Sequence, residues 1–340
     1  MRVIEIRQRF GLQSLLLGER PDPEPGEGQI LLRMRAASLN YRDLLTVKGH
    51  YNPKQPLPLI PCSDGVGEVL ATGPGASRFV PGDRVSPIFA QRWLSGKPVP
   101  ERLRSTLGGP LDGTLAELML LHEDGAVRVP GHLTDEEAAA LPCAAVTAWS
   151  AVAIHGEVKA GDVVLVQGTG GVSIFALQFS RMTGARVIVT SSSDRKLERA
   201  RELGAWETIN YRETPDWGRR AKKLTGGDGV DLVVEVGGAG TLAQSLAAVR
   251  FGGRIGLIGN LAGAETQLNL ISILMRQIRV QGILVGDREG FESMNRAIAA
   301  NSIRPVVDRV FPVEQARQGL EHLEAGRHFG KVCLTFEAWR

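Results

Sequence analysis

Residues Val163 to Ser173 read Val-Val-Leu-Val-Gln-Gly-Thr-Gly-Gly-Val-Ser, and the reading of this stretch decides the fold. Four apolar residues in a row, without polar alternation, fit a strand covered on both faces, as in a parallel sheet. Gly168, Gly170 and Gly171 follow at once, and the run from Val172 to Thr183 then reads as a helix. Strand, glycine turn and helix start together make a cradle for the pyrophosphate of a dinucleotide. Gly168 permits the tight turn, Gly170 lets the backbone approach, and the free N–H groups of the first helical turn face the charge. Gly168, Thr169, Gly170, Gly171 and Val172 are the candidate binding residues of this turn. Ser173 stands where the pattern G-x-G-x-x-G carries its third glycine.

Downstream the pattern alternates. Arg186–Thr190 predicts a strand, Asp194–Leu203 a helix, and 207–210 a short extended piece. Asp216–Leu224 predicts a helix, Asp231–Val236 a strand, Gly240–Val249 a helix, Gly253–Ile258 a strand, and Ile278–Val285 one more. Alternating strands and helices with short links predict a parallel, doubly wound sheet. Thr134 followed by Asp135-Glu136-Glu137 is a capping-box signature that opens this half.

Upstream the chain reads as mostly β. Val3–Ile6, Gln29–Ala37 and Gly65–Ala71 predict strands, and residues 91–113 predict a long loop. After a helix over Phe291–Ala300, the tail ends in Lys331-Val332-Cys333-Leu334-Thr335-Phe336, a strand expected to pair back into the first domain. The expected organisation is a β-rich domain made from residues 1–123 and 290–340, with a dinucleotide-binding domain over residues 124–289 between them.

Bulk properties narrow the function classes. The 340 residues carry 40 basic and 37 acidic side chains, a net charge of +3, too balanced for a nucleic-acid or membrane surface. Three dispersed cysteines with no C-x-x-C spacing argue against a disulfide framework and fit a reducing cytoplasm. The N-terminus does not read as a signal peptide, and no apolar run is long enough to span a membrane.

The end of the second strand of the α/β half bears on the cofactor. Dinucleotide binders that take NAD place an acidic residue about 20 residues after the first glycine, to hold the ribose 2′-hydroxyl. Here Ser191 takes that place, followed by Ser192, Ser193, Asp194, Arg195 and Lys196. Small hydroxyls at Ser191 and Ser192 leave room for a 2′-phosphate, and Lys196 or Arg195 can neutralise it. NADP(H) is expected over NAD(H). Asp194 reads as a first-turn helix carboxylate.

Several motifs in order carry a resemblance: Ser38-Leu39-Asn40-Tyr41-Arg42-Asp43, Pro61-Cys62-Ser63-Asp64-Gly65-Val66-Gly67-Glu68-Val69, Val80-Pro81-Gly82-Asp83-Arg84-Val85, Leu141-Pro142-Cys143-Ala144, Gln167–Val172 and His328-Phe329-Gly330-Lys331-Val332. Over nearly its whole length the chain resembles the medium-chain dehydrogenase/reductase superfamily, closest to its zinc-free, quinone-oxidoreductase-like branch. The resemblance implies an α/β chain: a Rossmann sheet inserted in a β-rich GroES-like domain. It implies that Tyr211 lies against the adenosine 2′-phosphate and that Lys331 approaches the cofactor. It implies that Gly259, Asn260, Leu284 and Val285 line the nicotinamide side, with Thr147 near the ring. Zinc alcohol dehydrogenases of this superfamily hold their catalytic metal with Cys, His and Cys beside an acid. The matching positions here are Asn40, Ser63 and Cys143, with Asp64 as the acid, so no zinc is expected.

Hydride transfer without a metal needs a hydrogen-bond donor for the substrate oxygen. Asn40 is the first candidate and Tyr51 the second, with Asp64 beside them. Tyr41 and Arg42 are further donors, and Asp43 is expected to orient its neighbours. The expected function is a zinc-independent, NADPH-dependent oxidoreductase acting on a small conjugated carbonyl compound, a quinone or an enone, and the expected assembly is a homodimer. Two alternatives stand beside it: a zinc-type alcohol or aldehyde dehydrogenase with unexpected ligands, and a non-catalytic NADP-binding protein.

Overall fold

The computed structural model describes residues 1–339. The strands in chain order are β1 (Arg2–Ile6), β2 (Leu15–Glu19), β3 (Gln29–Leu39), β4 (Asp64–Thr72), β5 (Arg84–Pro87), β6 (Leu118–His122) and β7 (Ala126–Arg128). They continue as β8 (Val163–Gln167), β9 (Arg186–Ser191), β10 (Glu207–Asn210), β11 (Val230–Glu235), β12 (Val249–Leu257), β13 (Arg279–Gly282), β14 (Val307–Pro312) and β15 (Lys331–Thr335). The chain divides into two units, residues 1–146 with the segment from Gly286 onward, and Thr147–Val285.

The second unit holds a six-stranded sheet in the order β10-β9-β8-β11-β12-β13, and every pairing is parallel. All five residues of β8 are buried, as its unbroken apolar run requires when helices cover both faces. Leu165, Ile188, Val233 and Ile255 form the centre of the core, packed with Trp217 and Leu246 from the helices. Each such side chain contributes about 1.5–3 kcal/mol by leaving water. The strand order reverses between β8 and β11, the position where doubly wound sheets bind their ligands. The strand expected over Ile278–Val285 is only Arg279–Gly282. Val285, beyond the end of this strand, has a φ of 51°, which a β-branched residue adopts only under strain.

In the first unit the order is β14-β15-β3-β4-β5-β7, with β6 also on β3. β3 alternates Ile30, Leu32 and Met34 into the core and is then buried on both faces from Ala36 to Leu39. Its antiparallel partners set the geometry of everything that follows. Leu39 pairs with Val332 of β15, and Ser38 pairs with Asp64 of β4. Asn40 lies one residue beyond Leu39 and Lys331 one residue before Val332, so the register sets these two opposite each other. Asp64 begins β4 at the same end. The long loop expected over 91–113 carries only a one-turn helix, Pro100–Leu103.

The boundary between the units falls after Val146, not after residue 123, and returns at Gly286, not 290. The physical reason is the helix Asp135–Ala139, which packs on β3, β4 and β15 and so belongs with the first unit. Its capping box is formed as expected: the Glu137 amide donates to Thr134 Oγ1 at 3.2 Å, and the Thr134 amide to Glu137 Oε2 at 2.9 Å.

Candidate active site and cofactor cradle

In the second unit, Gly168 turns with a φ of 72°, and its amide donates to the Thr190 carbonyl at 2.8 Å. The helix Gly171–Met182 starts immediately afterwards, so its first N–H groups lack partners within the helix. Ser173, which replaces the third glycine, turns its hydroxyl back to the Gln167 carbonyl at 2.7 Å and is buried. The hydroxyl therefore braces the turn and does not obstruct it.

Gln167 extends this bracing across the sheet. Its Nε2 donates to Glu235 Oε2 at 2.6 Å, and its Oε1 accepts the Val236 and Gly237 amides, both at 3.2 Å. Glu235 is fully buried and has no cationic partner among the described residues. It is satisfied instead by the amides of Gly237 (2.8 Å) and Gly238 (3.0 Å) and by the hydroxyls of Thr241 (2.6 Å) and Ser245. Hydrogen bonds of this kind are strengthened by the carboxylate charge, so the network ties the loop after β11 to the turn after β8. Sequence reading missed it. The available signal was a carboxylate ending the apolar run Leu232-Val233-Val234-Glu235.

Ser191, buried at the end of β9, accepts the Tyr211 amide at its carbonyl (3.1 Å) and the Ser193 amide at Oγ (3.3 Å). The Ser191, Ser192 and Tyr211 positions thus lie together, with Lys196 on the helix that follows. Asp194 is the first residue of that helix and accepts from Asn210 Nδ2 at 2.9 Å, as a first-turn carboxylate. Gly259 passes so close to Val236 that a Cβ on it would stand 2.4 Å from that carbonyl oxygen. Asn260 and Leu284 are exposed, while Thr147 and Val285 are buried.

In the first unit the ends of β3, β4 and β15 assemble a buried polar cluster. Asp64 is fully buried: its Oδ1 accepts the Ser63 hydroxyl at 2.8 Å and its Oδ2 accepts the Cys143 amide at 3.0 Å. Lys331, only 3% exposed, donates from Nζ to Asn40 Oδ1 at 2.5 Å and to the Leu39 carbonyl at 2.9 Å, and lies 4.0 Å from Asp64 Oδ2. Asn40 precedes the helix Tyr41–Val47, and its amide donates to Asp43 Oδ2 at 2.8 Å. Cys62, beside this cluster, is held at a φ of 76° while the backbone of 108–113 presses against it. A Cβ on Gly113 would lie 2.0 Å from the Cys62 carbonyl oxygen, so that glycine is needed for the close approach.

The structure thus brings Asn40, Ser63, Asp64 and Cys143 together. Lys331, which the resemblance brings toward the cofactor, lies in this cluster. Tyr51 finds a different partner. Its ring lies over the Arg42 guanidinium, centroid distance 4.8 Å, with Phe89 on the same cation at 5.4 Å. Arg42 gives its terminal nitrogens to the carbonyls of Leu107 (2.8 Å), Gly108 (3.1 Å) and Gly109 (3.1 Å), so it holds that loop, and only its buried Nε is left without a partner.

This donor set does not fit zinc. Asn40 and Ser63 are poor ligands, one thiol remains at Cys143, and a buried ammonium stands among them. Burial also pushes the Cys143 thiol far up, away from the thiolate a metal would need. Burial pushes the Asp64 carboxyl up as well, to about 6, with the neighbouring Asp43 charge acting in the same sense. The Lys331 charge, Asn40 and Ser63 pull it back.

Two family models match the chain: an alcohol dehydrogenase GroES-like domain over residues 26–131 and a zinc-binding dehydrogenase domain over residues 171–300. The chain belongs to the medium-chain dehydrogenase/reductase superfamily, on its alcohol dehydrogenase-like side, and is an oxidoreductase of that type. It is 45% identical to a zinc-type alcohol dehydrogenase-like protein of Schizosaccharomyces pombe, over 91% of each chain. It is 31% identical to an acryloyl-coenzyme A reductase of Metallosphaera sedula, over 95% of this chain and 97% of that one. Among solved structures it superposes on a Sinorhizobium meliloti protein, provisionally named an alcohol dehydrogenase, with a TM-score of 0.92, 42% identity and 98% of both chains covered.

The raised Asp64 carboxyl makes stability depend on pH. A folded-state pKa above the ordinary 3.8 means that the folded protein holds this proton more tightly. The resulting stability is complete below about pH 4 and is lost as pH rises through about 6. The stability of Asp64→Asn minus that of the natural protein is therefore expected to rise by on the order of 3 kcal/mol between pH 4 and pH 7. Urea unfolding across that range reads the difference, and a flat difference would contradict the assignment.

Proposed function

We propose that this protein is an NADPH-dependent reductase of conjugated carbonyl compounds, such as quinones and enones, that works without zinc. The observation that carries this reading is the cluster around Asp64, where an amide and a hydroxyl stand at positions that the resemblance gives to metal ligands, with a buried lysine beside them. Bound NADPH supplies a hydride from its nicotinamide C4 to the electrophilic end of the conjugated system. The electron pair displaced from C=C or C=O moves onto the carbonyl oxygen, and water supplies the proton. In this chain the Nδ2 amide of Asn40 donates to that oxygen as its charge grows. Delocalisation in a quinone or enone spreads the charge, so a hydrogen-bond donor suffices where an isolated carbonyl would call for a Lewis acid. Tyr51 shapes the substrate side from its place on Arg42. The name of the Metallosphaera relative supports an activated C=C bond as the hydride acceptor.

The preference for NADP(H) over NAD(H) is supported by the corner formed by Ser191, Ser192, Tyr211 and the Lys196 helix, where no carboxylate occupies the 2′-hydroxyl position. Thr147, Gly168–Val172, Gly259, Asn260, Leu284 and Val285 complete the proposed cofactor contacts. Three free cysteines suit a reducing, cytoplasmic setting. A homodimer is supported by β13, an edge strand with all four residues exposed. Beside it in sequence lie exposed Leu270, Ile271, Leu274 and Met275, an apolar group that water disfavours. Sedimentation velocity is expected to give twice the monomer mass, and a monomer would refute the dimer.

NADPH consumption against a panel of quinones, enones, enoyl thioesters and simple aldehydes tests the activity. Turnover is expected with the conjugated substrates and not with the simple aldehydes. Tight NADPH binding with no turnover across the panel would favour a non-catalytic binding protein instead. Lys196→Glu is expected to weaken NADPH binding ten-fold or more, a single charge-assisted contact being worth roughly 1.5–3 kcal/mol, and to leave NADH nearly unchanged. Equal loss for both cofactors would refute the phosphate assignment.

A further inference from the structure

A side-chain amide offers an acceptor and a donor face of nearly identical shape, and which one meets the substrate depends on what holds the other. At Asn40 the chemistry of Lys331 decides this. An ammonium is a donor only, so the atom 2.5 Å from Nζ has to be the oxygen Oδ1. The ammonium's second bond goes to the Leu39 carbonyl at 2.9 Å, and Asp64 Oδ2 lies 4.0 Å away. Two of the ammonium's three N–H groups are thus bound to carbonyl oxygens and the third has only the Asp64 carboxylate near it, while burial to 3% exposure withholds the group from a substrate.

The consequence falls on Asn40 Nδ2. With Oδ1 pinned, the amide cannot flip. Its NH2 group is buried, stands close enough to Asp64 to favour that carboxylate's charge, and makes no hydrogen bond of sound geometry among the described residues. A buried donor without a partner is costly and uncommon in native proteins, and one that persists calls for a ligand or a function. The bond from the ammonium also draws electron density from the amide oxygen. That polarises the N–H bonds on the other side of the group, as successive hydrogen bonds in a low-dielectric site do.

We propose that Lys331 is the positioning residue for the reduction: it locks the Asn40 amide with its NH2 group free for the substrate oxygen, and polarises that donor. The consequence for catalysis rests on the reductase reading given above, whereas the locking of the amide does not. Lys331 acts only through Asn40, so its loss changes how well negative charge on the substrate oxygen is stabilised, not how tightly substrate or NADPH binds.

The test compares Lys331→Met and Lys331→Arg with the natural protein. Lys331→Met is expected to lower kcat about 100-fold, the loss seen when one oxyanion donor is removed. KM for the substrate and the Kd for NADPH are expected to stay within about three-fold, as a loss confined to the transition state requires. Lys331→Arg, which keeps a cationic donor, is expected to restore most of kcat. Unchanged kcat in Lys331→Met, or equal losses in kcat and in NADPH affinity, would overturn the proposal. An independent readout needs no turnover. With selectively labelled asparagine, the Asn40 side-chain carbonyl, assigned from its disappearance in Asn40→Ser, is expected well downfield of the other asparagines in the natural protein. A carbonyl shift matching the other asparagines would overturn the locking even if Lys331→Met fails to fold. Absence of turnover with a downfield carbonyl would refute the reductase reading and leave the locking intact.

Discussion

The antiparallel pairing of β15 with β3 is the constraint on which the candidate site depends. It joins the last strand of the chain to one of the first, and its register, Leu39 opposite Val332, sets Lys331 against Asn40. The pairing of β3 with β4, Ser38 opposite Asp64, adds the carboxylate. A shift of one residue in either ladder would turn these side chains to the other face of the sheet. The buried run Ala36-Ala37-Ser38-Leu39, packed on both faces, prevents such a shift. The residues furthest apart in the chain are thus placed by ordinary β-sheet physics, and the chemistry of the cluster follows from that placement.

The electrostatics of the cluster bear on the proposal that it works without a metal. A lysine and an aspartate, both buried, lie 4.0 Å apart. At an effective dielectric constant of 20 their attraction is about 4 kcal/mol. Desolvating each ion costs several kcal/mol, so the pair adds little net stability. Its value lies in position: a fixed positive charge beside a carboxylate and an amide. The second unit solves a parallel problem with no cation among the described residues. Glu235, equally buried, is held by two amides, two hydroxyls and the Gln167 side chain, and the turn at Gly168 is braced through that glutamine.

Much of this was legible in the sequence, for identifiable reasons. The Val163–Ser173 stretch disclosed the parallel sheet because unbroken apolar runs and glycine turns are local signals. The tail strand and its return to the first domain were legible from its apolar character. What escaped were consequences of long-range register. The contact of Lys331 with Asn40 escaped because nothing local says which residue of β3 Lys331 will oppose. The hold of Arg42 on the 107–109 loop escaped because its three carbonyl partners lie more than sixty residues away. The 278–285 stretch looked like one strand because nothing in its hydrophobic pattern marks the end of pairing at Gly282. The domain boundary was drawn too early because the helix Asp135–Ala139 reads as the start of the α/β half, although it packs on the β-rich one.

The most direct test of the central claim is NADPH oxidation, with a quinone or enone as acceptor, by protein exhaustively treated with a chelator and then assayed for metal. The account predicts full turnover with far less than one metal ion per chain, and no gain on adding zinc. Loss of activity on chelation, restored by stoichiometric zinc, would contradict it.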